Sequence, residues 1–163
     1  MCGIAGYFNP DQNYAENPKQ NFHTLSRMIN TMNHRGPDTY GHTIINSCCL
    51  AHTRLSIIDL ENGRQPMSYT KDGNTYYIVY NGEIYNYKEV KKTLLRKNYT
   101  FETNSDTEVI IAAFCHYGPG FVKELNGIFA IAIYDSMRNT LYLYRDRFGV
   151  KPLYYTKTGD TLV

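Results

Sequence analysis

The 163-residue chain has no tryptophan, only four cysteines, no excess of one charge and no long apolar run. Each shortage excludes something. A membrane-spanning helix needs about 18 or more consecutive apolar residues, and no run comes near that. Beyond Phe8 the chain turns polar, unlike a secretory signal, so a cytoplasmic protein with no membrane partner is expected. The 17 basic and 15 acidic residues sum to +2 and are scattered, not gathered into a stripe fit for a phosphate backbone. No nucleic-acid partner is expected. Cys2, Cys48, Cys49 and Cys115 include no Cys-x-x-Cys pair and no histidine at metal-ligand spacing, which speaks against a metal site. In a reducing compartment they remain thiols, and Cys48, Cys49 and Cys115 read as small buried apolar residues.

With 42% hydrophobic residues the length fits one domain around one core. Sixteen tyrosines accompany β-type runs at 3–8, 44–58, 75–80, 127–134, 140–144 and 153–155, so the chain is strand-rich. Phe22, Leu25, Met28, Ile29 and Met32 fall on one face of a helix that ends before His34-Arg35-Gly36-Pro37. A second helix is expected over 88–97, with Val90, Leu94 and Leu95 inward. A third starts at Ser105 in a capping box with Glu108 and stops at Gly118-Pro119; a short fourth covers 120–125. Asp72-Gly73, Asn81-Gly82 and Asn126-Gly127 read as turns, and the polar stretch 11–21 as a mobile loop. Thr161-Leu162-Val163 reads as a strand beginning, and the chain as a piece of a longer one. Two groups of strands around a pair of helices predict an α+β fold, two sheets face to face with helices outside.

The chemistry gathers at the start of the chain. Methionine before a small residue is readily removed, which would leave Cys2 with both a thiol nucleophile and a free α-amine. With a pKa of roughly 8, that amine can act as the base at neutral pH. While Met1 is attached the nitrogen is an amide and the base is lacking. Gly3 and Gly6 would let a ligand approach the backbone closely. Breaking an amide also needs oxyanion donors, and Asn81-Gly82 offers a carboxamide N–H and an unobstructed backbone N–H, although the dipeptide is equally a common hairpin turn. Arg54, a charge at the heart of an apolar strand, suits a carboxylate. Glu83 and Asp106 could hold an ammonium group, with Asp106 also favouring the helix dipole.

Six motifs carry a family resemblance: Met-Cys-Gly-Ile-Ala-Gly at 1–6, His-Arg-Gly-Pro-Asp at 34–38, Arg-Leu-Ser-Ile-Ile-Asp at 54–59, Asn-Gly-Glu-Ile-Tyr-Asn at 81–86, Ser-Asp-Thr-Glu-Val-Ile at 105–110 and Arg-Asp-Arg-Phe-Gly-Val-Lys-Pro-Leu-Tyr-Tyr at 145–155. In order and nearly end to end, they resemble the glutaminase domain of glutamine-hydrolysing asparagine synthetases, a class II glutamine amidotransferase. The resemblance implies a four-layer αββα sandwich of the N-terminal-nucleophile hydrolase type. It implies Cys2 as nucleophile, Asn81 and Gly82 as the oxyanion hole, and a glutamine site from Arg54, Leu55, Ser56, Ile57, Ile58, Glu83 and Asp106. Ammonia would pass to a C-terminal synthetase domain that uses ATP and magnesium to convert aspartate to asparagine. No cofactor or metal is expected in residues 1–163, which contain no Gly-rich phosphate loop. An amidotransferase serving another acceptor, or a regulatory domain of the same fold, are the alternatives.

Overall fold

In a computed structural model, which describes residues 2–54 and 63–163, strands and helices fall into two blocks. The first holds β1 (Gly3–Phe8), α1 (Pro18–Thr31), β2 (Thr39–Ile45) and β3 (Cys48–Arg54). The second holds β4 (Met67–Lys71), β5 (Asn74–Ile84), α2 (Tyr87–Leu95), α3 (Asp106–Tyr117), β6 (Gly127–Asp135) and β7 (Thr140–Arg145). Two short strands, β8 (Lys157–Thr158) and β9 (Thr161–Leu162), return to the first sheet. The sheets run β2-β3-β1-β9-β8 and β4-β5-β6-β7, with antiparallel pairing throughout.

Successive strand side chains point to opposite faces, and β3 uses both. Cys49 and Ala51 meet Leu25 and Ile29 of α1, whereas Cys48 and Leu50 meet Val79, Ala132 and Tyr134 of the second sheet. On the far side of that sheet Ile78, Tyr80, Ile84, Ile131 and Ile133 bury against Val90 and Leu94 of α2 and against α3. Residues 107–114 of α3 are buried without a break, as a helix apolar on nearly every side requires. The layers are therefore helix, sheet, sheet, helix: the expected αββα sandwich.

Several local expectations are corrected. The apolar run 44–58 is no single strand: β2 starts at Thr39, the chain turns at Asn46-Ser47 with Asn46 at φ 26, and β3 is described over Cys48–Arg54, with 55–58 outside the described residues. Asn81-Gly82 is not a turn, since β5 continues through both to Ile84 and pairs with β6 as far as Gly127. The Asp72-Gly73 turn does form, joining β4 to β5 with φ of 51 and 79, the left-handed pair a tight hairpin needs. No strand forms at 153–155, and β4 was not foreseen. Phe22 and Leu95, expected inward, are 41% and 52% exposed. Phe22 lies at the rim against the His42 ring, and Leu94 takes the inward position beside Leu95. The stretch 11–21 contains a 3-10 turn at Tyr14–Glu16 and the start of α1, where Asn21 accepts from the Tyr7 hydroxyl (2.8 Å) and donates to the Tyr14 carbonyl (2.7 Å).

Only half of the capping box forms: Ser105 Oγ accepts from the Thr107 amide (3.2 Å), while the Glu108 carboxylate takes the amides of Glu102 (2.8 Å) and Thr103 (2.7 Å). The expected fourth helix is a 3-10 segment, Gly118–Glu124. Cys48 and Cys49 are buried, Cys115 is half-buried, and none of the four cysteines is joined in a disulfide among the described residues. Among the described residues no helix is long and apolar enough to cross a membrane.

Candidate active site

Cys2 leads straight into β1. Its carbonyl accepts from Arg35 Nε (3.2 Å), and the following Gly3 amide donates to Thr53 Oγ1 (3.0 Å). Arg35 belongs to His34-Arg35-Gly36-Pro37-Asp38, a motif whose other end closes on Arg54. The Asp38 amide donates to the Arg54 carbonyl (3.1 Å), and a Cβ on Gly36 would lie 2.6 Å from the Arg54 nitrogen. This motif therefore fastens Cys2 and Arg54 into one corner. The glycines of β1 are also required by packing: a Cβ on Gly3 would meet Thr53 Oγ1 at 2.7 Å and one on Gly6 the Cys49 carbonyl at 2.4 Å.

The second wall is the free edge of β5. β4 pairs with β5 only as far as Met67 opposite Ile78, so beyond it one side of β5 has no neighbouring strand among the described residues. In an antiparallel ladder alternate residues direct both backbone groups to the same side. The Tyr80 amide points to the open side, where it donates to Gln65 Oε1 (2.6 Å), and the Ile84 amide points there too, toward Asp106 Oδ2 (3.4 Å). Gly82, midway between them, shares their orientation. Its partner Phe129 confirms this by sending its amide to Asp146 Oδ2 (3.2 Å) and receiving the Asp146 amide on its carbonyl (2.9 Å), both away from β5. Gly82 N–H is thus presented to the open side. A Cβ there would lie 2.1 Å from the Ile128 carbonyl, so only glycine fits. The odd-numbered side chains Val79 and Asn81 face the first sheet, where Cys2 is.

These walls enclose a cavity of about 180 Å³ lined by Cys2, Arg54, Asn81, Gly82, Glu83 and Asp106 among others. Every candidate residue that the structure describes is gathered there. Leu55, Ser56, Ile57 and Ile58, like Met1, lie outside the described residues. The space is smaller than the roughly 300–1,000 Å³ of drug-sized pockets and suits a small metabolite. A larger cavity of about 350 Å³ opens between the sheets, but its described lining, including Leu50, Val79, Ala132 and Leu143, has no charge and no thiol. Chemistry selects the smaller.

The sequence did not single out His52, Gln65, Tyr80 or Lys151, which also line this cavity. Tyr80 was hidden because its hydroxyl leaves β5 on the helix side, where it donates to Asp106 Oδ2 (2.8 Å). Burial raises the Asp106 pKa and Glu83 adds to the rise, against the lowering effect of the Tyr80 hydroxyl and the Ile84 amide. Tyr80 is itself pushed well above the usual phenol range, by burial first and then by the charge of Asp106. His52 is buried, and burial lowers its pKa to about 4, with Arg54 adding to the shift and the Tyr80 backbone opposing it. It is therefore neutral at pH 7. Lys151 is delivered by a tight loop: Asp146 accepts the amides of Phe148, Val150 and Lys151, while Arg145 donates to the carbonyls of Gly149 and Lys151. Burial alone would raise the Asp146 pKa, but these amides outweigh it and hold the carboxylate below its usual range. Two cations and two carboxylates thus line one small cavity beside a thiol. Among the described residues no cluster of His, Cys, Asp or Glu could hold a metal ion.

An αββα sandwich of two antiparallel sheets with helices outside is the fold of the N-terminal-nucleophile hydrolases, and here Cys2 at the head of β1 and Gly82 of β5 line one cavity. The chain belongs to the glutamine amidotransferase domain family, whose match covers residues 1–163. It is 41% identical over its whole length to an asparagine synthetase [glutamine-hydrolyzing] 3 of Bacillus subtilis, covering 26% of that protein. It is 38% identical to the amidase chyE of Penicillium rubens, covering 100% of this chain and 25% of that one. The chain therefore spans about a quarter of the length of these relatives. The solved allosteric regulatory enzyme of purine biosynthesis shares the fold, with TM-score 0.70 at 18% identity over 99% of this chain and 41% of that one.

Proposed function

We propose that the domain hydrolyses glutamine to glutamate and ammonia, with Cys2 as nucleophile after Met1 is removed. The observation that carries this is the placing of Cys2, Arg54, Asn81, Gly82 and Asp106 around one cavity of metabolite size. Arg54 takes the substrate α-carboxylate, and Asp106 and Glu83 take its ammonium, so the side-chain amide reaches the thiol. The residues 55–58 complete this part of the site. The Cys2 α-amine accepts the thiol proton, and sulfur attacks the amide carbon. The resulting oxyanion receives hydrogen bonds from Asn81 Nδ2 and the Gly82 amide. As the C–N bond breaks, the α-ammonium returns the proton to departing ammonia and leaves a γ-glutamyl thioester. Water, deprotonated by the same amine, then attacks the thioester and releases glutamate.

On this reading residues 1–163 are the glutaminase domain of a longer cytoplasmic chain. Ammonia would feed a C-terminal synthetase domain that uses ATP and magnesium to amidate aspartate, while this domain itself needs no cofactor. Similarity to the B. subtilis asparagine synthetase supports that acceptor, and similarity to the P. rubens amidase favours a second reading, the same glutaminase serving a different acceptor. The test is the intact mass of the protein before and after an electrophilic glutamine analogue. The expected result is loss of Met1 and a single adduct on Cys2 that excess glutamine prevents. A chain beginning at Cys2 that forms no such adduct would refute the reading.

A further inference from the structure

We propose that Gln65 is a positioning residue for glutamine hydrolysis, holding the oxyanion edge of β5 in place against the ammonium-binding start of α3. The proposal rests on the glutaminase reading. Its carboxamide is used at both ends: Oε1 accepts from the Tyr80 amide (2.6 Å), and Nε2 donates to Thr107 Oγ1 (3.2 Å). Two residues beyond Tyr80 along the same edge is Gly82, and next to Thr107 is Asp106. One side chain therefore spans the two groups that would hold opposite ends of the substrate.

Gln65 is also well placed to be rigid. It stands two residues before Met67, where β4 stops being available to pair, so its side chain supplies the ladder bond that β4 would have made to Tyr80. Its main chain is pressed on β2: a Cβ on Gly41 would lie 2.1 Å from the Gln65 carbonyl oxygen. The Tyr80 hydroxyl closes the circuit by donating to Asp106 (2.8 Å). Loss of the carboxamide would free both the Tyr80 amide and the first turn of α3. An oxyanion donor displaced by a fraction of an ångström loses much of its effect, because the hydrogen bond must reach the atom where charge develops.

The test compares wild type, Gln65→Met and Gln65→Glu, each with Met1 removed. Methionine keeps the length without an acceptor, whereas glutamate keeps an acceptor for the Tyr80 amide and loses only the donor to Thr107. Three quantities are read: kcat and KM for glutamate release, and the rate at which iodoacetamide alkylates Cys2, a substitution that forms no oxyanion. Gln65→Met should lower kcat roughly tenfold with KM within about threefold, and Gln65→Glu should stay within about threefold of wild type. Cys2 alkylation should change less than about twofold in both. Wild-type kcat in Gln65→Met, equal impairment of the two variants, or alkylation falling together with kcat would overturn the proposal. If Gln65→Met does not fold, Gln65→Leu is read in its place: a roughly tenfold fall in kcat with KM and Cys2 alkylation kept supports the role, and wild-type kcat overturns it. A wild-type protein that releases no glutamate would instead overturn the glutaminase reading, and this proposal with it.

Discussion

From Asn74 to Ile78, β5 lies between two strands; from Tyr80 to Ile84 its strand partner among the described residues is β6 alone. The first half spends its backbone groups on β4 and serves the core, with Ile78 fully buried. The second half has an edge, usually a liability because unpaired amides invite other chains. Here side chains finish the edge: Gln65 takes the Tyr80 amide and Asp106 lies against that of Ile84. Between them Gly82 N–H is left directed into the cavity. On the proposed reading, the two halves teach that an oxyanion site can be made from an ordinary ladder by ending one described neighbour early and filling the places on either side of Gly82.

Substitutions in the two halves should therefore separate activity from stability. The largest effect is expected for Gly82→Ala, whose Cβ would lie 2.1 Å from the Ile128 carbonyl and drive the edge out of position. Glutamate release should fall more than about a hundredfold, and retention of half the activity would show that the edge amide is not a donor. Asn81→Ala removes one donor without moving the backbone, so kcat should fall about a hundredfold while KM is nearly kept; an unchanged kcat removes Asn81 from the oxyanion site.

Asp106→Asn should raise KM for glutamine about tenfold with a smaller change in kcat, as loss of a charge-assisted hydrogen bond predicts. It should also alter the pH profile. Because the folded-state pKa of Asp106 is raised, wild-type affinity should fall on acidification at a higher pH than an ordinary aspartate would give, since the ionised form is the one that binds ammonium. A profile unchanged in Asp106→Asn would dissociate it from the ammonium. Ile78→Ala, in the paired half, should cost about 2–5 kcal/mol of stability in denaturant titrations and leave kcat of the folded protein within about twofold. A kcat loss like that of Asn81→Ala would erase the distinction between the halves.

The smallest effect concerns His52, beside the outer half. Its pKa is lowered in the folded protein to about 4 from 6.5, so between those values the unfolded chain binds the extra proton. Stability should rise with pH across that window and fall on acidification, by about 2 kcal/mol from pH 7 to pH 5. Comparing the pH dependence of wild type and His52→Gln isolates this contribution, and equal slopes would show that His52 is not buried in its neutral form.

Local patterns revealed much of this. Alternation in 127–134, helical spacing of Leu25 and Ile29, and the apolar run after Ser105 each depend on near neighbours, and their elements form as expected. The errors arose where distant partners decide. Asn81-Gly82 has the composition of a turn, yet pairing with Ala130 and Phe129 keeps it extended. Ser105 and Glu108 have capping-box spacing, yet the preceding loop brings Glu102 and Thr103 to the carboxylate first. Gln65 and Tyr80 carried no signal, because a neutral amide and a core aromatic acquire a role only from what they touch.

The sequence by itself determined the candidate site residues and the layering: Cys2, Arg54, Asn81, Gly82 and Asp106 stand in ordered motifs, and burial periodicity sorts strands from helices. Only the tertiary structure decided which backbone amide stays open. That depends on where β4 stops against β5 and on side chains 15 and 22 residues away that fill its place, a matter of three-dimensional neighbourhood that no local pattern records.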